Sequence, residues 1–402
     1  MNVPRPLFGY LSLIVLALGL RLVYTLSLPP KLFSFDESDV DHIAWNLASR
    51  EAYADEEGPT AWRPPSYVFF LAGIYKIGGH NYRLARLVQS LTGTILVFLI
   101  FLLARQLWPA RAAVPWVAAW ISACYPFFIY YDGALIAESF IVFWSVMSLW
   151  LFYRWQERPP SVSRAALCAL AFAVLSLAKT IFIVLFLALM TPQIYRAWGG
   201  SERLARLRTL FFAGVLFALP LLFWGLRNQR VFGSFLLDAH GGYTALGDIV
   251  FYRETKEGRF GDVVNSHPWF QAGQKMNEVD RNKYYLSLTK RYMVDHPKQI
   301  AYQMLLNLKD FWRFYPRQDI SFREGTRRLT LISLLTEPFL LIFGAVGLIR
   351  SREEGTRLYP IYGFILLLTG IHAVLMGQMR YRLPVMPFAI LFTAYALTHS
   401  LE

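Results

Sequence analysis

Of the 402 residues, 55% are hydrophobic, 16% aromatic and only 17% charged, with a mean hydropathy of +0.37. A soluble domain carries about a quarter charged residues, and here the apolar residues fall in long blocks with charge at their edges, which excludes an ordinary soluble enzyme. The net charge of +13 would point to nucleic acid in a soluble protein, but the arginines cluster in short loops between the blocks, as in the positive-inside pattern, so no nucleic-acid partner is expected.

A bilayer-spanning helix needs roughly 20 mostly apolar residues, and only helices or closed barrels satisfy their backbone in lipid. The blocks do not alternate as barrel strands do, so the fold class is all-α integral membrane protein. The first block, 7–28, follows only Arg5 and ends in Leu28-Pro29-Pro30-Lys31 without a small-residue cleavage site, which reads as a retained helix. Further spans are expected at 84–107, 113–131, 135–153, 163–178, 180–196, 209–226, 329–349, 358–378 and 383–400. Cys124 and Cys168 lie inside blocks, so neither a disulfide framework nor a cysteine metal site is expected.

The stretch around Lys179 reads either as one overlong helix or as two short ones turning at the lysine, and charge decides between them. With two helices, Arg105 and Arg111, then Arg154, Arg158 and Arg164, then Arg196, Arg203, Arg206 and Arg208, then Arg350, Arg352 and Arg357 all fall on the side of Arg5. That satisfies the positive-inside rule at every short loop. About ten spans with both termini cytoplasmic follow, in a cell membrane, with a bacterial inner membrane the expected one. Three parts result: a seven-helix module over 1–226, an outer helical segment of about 100 residues over 227–328, and a three-helix module over 329–402. No sequence repeat of the inverted-repeat transporter kind is visible.

The first outer loop, 29–83, opens with Asp36, Glu37, Asp39 and Asp41 just beyond a membrane helix. A carboxylate there can act as general base toward an acceptor hydroxyl or amine, or hold a divalent cation through oxygen ligands. Acidic residues also favour the first turn of a helix, so a solvated helix start fits the same pattern. Further on, Arg63-Pro64-Pro65-Ser66-Tyr67 leads into an apolar stretch too short to span, which is expected to lie in the interface. Glu138 falls at the outer end of the fourth span, Lys179 at the outer turn, Arg227-Asn228 at the end of the seventh span, and Arg380 and Arg382 at the start of the last. All of these groups converge on one outer face. Carboxylates near one substrate and cations near a phosphate suit an outward active site, although a single cation there could equally snorkel to headgroups. Arg21, inside the first span, can snorkel or pair with an acid.

The ordered set resembles the GT-C superfamily of polytopic glycosyltransferases, in particular the protein O-mannosyltransferases and lipid A aminoarabinose transferases (glycosyltransferase family 39). The pieces are Asp36-Glu37, Arg63-Pro64-Pro65-Ser66-Tyr67, Arg83 to Gln89, Glu138, Arg227-Asn228 with Gly233 and Gly241-Gly242, and Arg380-Tyr381-Arg382-Leu383-Pro384. The resemblance implies a GT-C-like fold and an inverting transfer of a sugar from a polyprenyl-phosphate donor to a lipid, glycan or protein acceptor on the periplasmic or outer face. It implies Asp36 as base, with Glu37 beside it, Glu138 assisting, and Arg63, Lys179, Arg227, Arg380 and Arg382 near the phosphate. Trp62 and Arg63 stand where the aminoarabinose enzymes carry glutamate and lysine, so their metal site is not carried over; no cofactor is expected with certainty, and a divalent cation stays open. The length falls short of longer members, which makes protein acceptors that need an extra domain less expected. The alternative from another class is a transporter or flippase for a lipid-linked or anionic substrate.

Overall fold

The computed structural model describes residues 5–157, 159–198, 202–257, 260–315 and 326–399; Arg158 lies outside them. Among the described residues there is no strand, only an isolated bridge between Ala54 and Pro59. The chain begins with α1 (Arg5–Ser27), followed by α2 (Phe35–Arg50) and α3 (Pro65–Gly78) of the first loop. Next come α4 (Tyr82–Leu107), α5 (Ala113–Cys124), α6 (Pro126–Gly133), α7 (Glu138–Gln156), α8 (Val162–Ala178), α9 (Phe182–Trp198) and α10 (Arg203–Phe232). The segment after α10 holds α11 (Gly241–Ala245), a π-helical turn at Leu246–Val250, α12 (Tyr252–Lys256), α13 (Phe260–Ser266), α14 (Pro268–Gln274), α15 (Glu278–Asp295) and α16 (Pro297–Phe311). The chain then closes with α17 (Thr326–Arg350), α18 (Gly355–Val374), α19 (Met379–Arg382) and α20 (Met386–Thr398).

Over the described residues, every expected span is occupied by a helix, or in one case by the bent pair α5 and α6. Among the described residues, four helical runs are long and apolar enough to cross a bilayer: Phe8–Ser27, Tyr82–Leu107, Arg203–Phe232 and Arg328–Val374; α5 and α6, bent by 48°, make a fifth if taken together. Their outward faces are apolar: Val15 and Val23 on α1, Phe211 and Phe223 on α10, and Leu331 and Leu335 on α17 are all more than half exposed. A water-soluble fold does not leave stripes of that size bare.

The break at Lys179 turns the chain back on itself. Lys179, Thr180 and Ile181 line one cavity, whereas Pro160, before α8, and Gln193 and Arg196, late in α9, line another. Two helices therefore run in opposite directions, as the charge pattern requires. The basic loops gather at the second cavity's end of the bundle. Arg164 donates to the Arg154 carbonyl (3.0 Å), Gln106 donates to Glu157 (3.2 Å), and Arg357 donates to the Gln106 carbonyl. Arg111 bonds His399 (3.0 Å) and Arg350 reaches the Ala396 carbonyl (3.4 Å) in the same region.

Arg21 pairs with Asp132 of α6 (2.7 Å), and both are buried; it also donates to the carbonyls of Ala17 (2.9 Å) and Ala123 (3.3 Å). The pair fits only because α4 presents Gly93 to it: a Cβ there would lie 2.0 Å from Asp132 Oδ2 and 2.7 Å from Arg21 Nε. Gly93→Ala should lower stability by about 3 kcal/mol, the scale for breaking a buried ion pair. Thermal unfolding in detergent checks this, and an unchanged midpoint contradicts it.

Two ties hold the first loop over the bundle. The Arg86 guanidinium of α4 donates to the carbonyls of Pro29 (2.7 Å), Lys31 (2.7 Å) and Gly133 (2.9 Å). From α10, Arg227 donates to the carbonyls of Thr60 (2.8 Å) and Tyr53 (2.9 Å). The loop helix α3 starts on the paired prolines, with Pro65 at its first position, and stops at Gly79, whose φ of 72° favours a residue without a Cβ.

Candidate active site

The first residues of α2 divide their work by helix geometry. Ser34 caps the helix by accepting from the Glu37 amide (3.3 Å), while Glu37 accepts from the Ser34 amide (3.1 Å), a capping box. The other Glu37 oxygen accepts from the Leu135 amide (2.9 Å), so this acid is buried as a joint between the first loop and the start of α7. Its neighbour Asp36, about 100° further round the helix, faces the cavity instead. There Asp36 Oδ1 accepts from Arg63 (2.9 Å) and Oδ2 from Arg380 (2.8 Å). Arg63 continues to Asp39 (2.5 Å), and Arg380 continues to Glu138 at the first residue of α7. The result is one chain of charge, Asp39–Arg63–Asp36–Arg380–Glu138, linking α2, the Pro64 turn, α7 and α19.

Burial by itself would raise the Asp36 carboxyl, but Arg380 and Arg63 outweigh it and hold the group well below the usual carboxylate range. Asp36 is therefore ionised at any physiological pH, and 32% of its side chain remains open to the cavity.

The cavity is about 260 Å³ and is lined by Asp36, Arg63, Glu138, Lys179 and Arg380 together with groups from the outer segment. That is close to the lower limit of ordinary small-molecule sites, enough for one sugar ring and its phosphate. The outer segment contributes Asp238, which accepts from Thr180 (3.1 Å), and His240, which bonds Thr244 (2.8 Å) and packs edge-on against Trp62. Burial pushes Asp238 up and, with Arg63 nearby, pushes His240 down to about 3, so this histidine is neutral. Burial also pushes Asp248, on the π-helical turn, up to about 7. Lys179 lies over the Tyr381 ring, 4.6 Å from its centroid. Asp238, His240 and Asp248 were not singled out by the sequence, where they carry no spacing signal.

Of the expected site residues, the structure thus brings together Asp36, Glu138, Arg63, Lys179 and Arg380. It places three elsewhere. Glu37 is the helix cap, and Arg227 ties α10 to the first loop. Arg382 points the other way from Arg380, into a buried pair with Glu337 of α17 (2.5 Å) and onto the Phe311 carbonyl (2.8 Å).

The acidic run is partnered by the protein's own groups. Arg63 takes Asp36 and Asp39, backbone amides take Glu37, and Asp41 accepts from the Tyr75 hydroxyl (2.5 Å) and faces His80 (2.9 Å). Among the described residues no group of three or more His, Cys, Asp or Glu side chains is placed to hold a metal ion.

The family described as dolichyl-phosphate-mannose-protein mannosyltransferase matches residues 62–224, from the residue before Arg63 to Trp224 within α10. No curated protein matches the chain. Among solved structures, the archaeal oligosaccharyltransferase AglB from Archaeoglobus fulgidus, in complex with an inhibitory peptide and a dolichol-phosphate, aligns with a TM-score of 0.55 and 15% identity, over 97% of this chain and 50% of its own. A second structure of the A. fulgidus oligosaccharyltransferase, with Zn and sulfate, aligns at 0.55 with 14% identity, over 97% of this chain and 49% of its own. ArnT from Cupriavidus metallidurans bound to undecaprenyl phosphate aligns at 0.48 with 16% identity, over 97% of this chain and 77% of its own. The chain spans about half the length of AglB, and at these identities the likeness is one of fold. The family match covers less than half of the chain, and the fold of AglB extends over nearly all of it.

Proposed function

We propose that this protein transfers a single sugar from a polyprenyl-phosphate donor to an acceptor at the outer face of the membrane, with inversion and with Asp36 as base. The observation that carries the reading is the placement of Asp36 between two guanidiniums, one of them shared with Glu138, on the wall of a sugar-sized cavity. Glycosyl transfer from a lipid phosphate needs that combination: a carboxylate for the acceptor's proton and cations for the charge on the departing phosphate. The family match to mannosyltransferases and the dolichol-phosphate held by AglB support a polyprenyl-phosphate donor.

With both its oxygens held by arginines, Asp36 is a weak base. The donor's phosphate changes that by competing for Arg63 and Arg380. As the guanidiniums turn toward the phosphate, the proton affinity of Asp36 rises. The acceptor oxygen or nitrogen then attacks the anomeric carbon from the side opposite the phosphate and gives its proton to Asp36. The bond from carbon to phosphate oxygen breaks, and its electron pair leaves with the polyprenyl phosphate, stabilised by Arg380 and Lys179. A single in-line displacement of this kind inverts the anomeric centre. Glu138 holds the other edge of Arg380 and keeps it aimed.

We further read the basic end of the bundle as cytoplasmic, with ten crossings and both termini on that side, as the positive-inside rule favours. Lipid, glycan or protein acceptors all suit an outward cavity. The chemistry needs no divalent ion: excess chelator should leave turnover within about twofold, because guanidiniums supply the charge on the phosphate. Strict dependence on added Mg²⁺ or Mn²⁺ would contradict this. The function itself is tested by incubating the purified protein with a panel of polyprenyl-phosphate sugars and following release of polyprenyl phosphate. One or more donors should be consumed in the presence of acceptor lipid or glycan.

A further inference from the structure

The cavity contains a buried group that the transfer step does not use. His372, near the end of α18, lines it and is only 3% exposed. Its ring is held between Phe311 (centroids 5.6 Å apart, 13° between planes) and Tyr381 (4.7 Å, 10°), so it cannot rotate freely. Its Nδ1 lies 3.2 Å from the Met376 carbonyl. A carbonyl only accepts, so Nδ1 carries the hydrogen and Nε2 of the neutral ring is a bare acceptor. The Met376 loop is itself fixed, since Asn307 donates to the carbonyls of Ala373 (3.1 Å) and Leu375 and accepts from the Gly377 amide (3.1 Å).

Nε2 of His372 is buried and, among the described residues, has no hydrogen-bond partner. An unmet acceptor in such a place is costly, and it asks for a donor hydrogen from whatever fills the cavity. A phosphate diester has none to give; a sugar hydroxyl does. The cavity wall is divided in the same sense. Arg63, Lys179 and Arg380 offer donors, whereas His372 Nε2 and the Asp238 and Asp248 carboxylates offer acceptors.

Resting on the function proposed above, we propose that His372 Nε2 accepts a hydrogen bond from one hydroxyl of the donor's sugar ring and makes the protein selective for sugars that carry it. His372 is then a specificity residue: it touches the sugar but takes no part in moving the proton.

The test pairs two variants with donors deoxygenated at one ring position at a time. His372→Phe keeps a ring for the stack on Phe311 and Tyr381 and removes the acceptor; His372→Gln offers an amide oxygen in its place. In the wild type, one deoxy donor should fall in kcat/KM by about tenfold or more, since the site's acceptor is left unpaired. In His372→Phe the intact donor should fall by a similar factor, mostly through KM, and the penalty for that one deoxy position should vanish. His372→Gln should restore part of both. Equal deoxy penalties in the wild type and His372→Phe, with wild-type turnover intact, overturn the assignment of His372 alone. Should His372→Phe fail to elute as folded protein, His372→Gln decides: a penalty at that one deoxy position smaller than in the wild type supports the proposal, and a penalty equal to that of the wild type overturns it. If the wild type consumes no donor at all, the parent function fails and this inference with it.

Discussion

Replacing Asp36 by asparagine should lower transfer by about 10³-fold, within the range for losing a positioned general base, while leaving the protein folded and inserted. Asparagine keeps the shape of the side chain, and its one amide oxygen can still accept from either Arg63 or Arg380, which now hold one carboxylate oxygen each. It cannot take the acceptor's proton. The helix that carries it is capped by Ser34 and Glu37, not by Asp36, so α2 should stay in place. Initial rates of donor consumption, beside an elution profile in detergent, separate chemistry from folding. Near-normal turnover in Asp36→Asn removes the base from the account.

Replacing Arg380 by alanine should be nearly as severe, with a loss of roughly 10²- to 10³-fold in kcat, the scale for removing one charge-stabilising donor. Arg380 bonds both Asp36 and Glu138. Its removal takes a cation from the departing phosphate and lets Glu138 drift. Lysine should recover only part of the loss, because a single ammonium cannot bridge two carboxylates in the geometry of a planar fork. A KM effect without a kcat effect would place Arg380 on ground-state binding instead.

The membrane class was legible because lipid imposes a simple rule on composition, and the turn at Lys179 because short loops obey a simple rule of charge. Asp36, Glu138 and Arg380 were legible as a group because topology sends the outer ends of distant helices to one place. What topology leaves open is direction around each helix. Arg382 follows Arg380 by two positions, about 200° of rotation, and so it points into the bundle at Glu337 while Arg380 faces the cavity. Glu37 had a signal, the Ser34 to Glu37 box, which assigns it to the cap. Asp238, His240, Asp248 and His372 had none. They are isolated polar residues, and tertiary packing of the outer segment on Trp62 and of α18 on Phe311 brings them to the cavity.

Transfer at an outward site with Asp36 as base can be tested by presenting a labelled polyprenyl-phosphate sugar to one face at a time of sealed vesicles with the protein in a single orientation, and measuring release of polyprenyl phosphate. Release should occur only at the face opposite the basic loops and stop in Asp36→Asn. Release at the basic face, or an Asp36→Asn rate equal to that of the wild type, would contradict it.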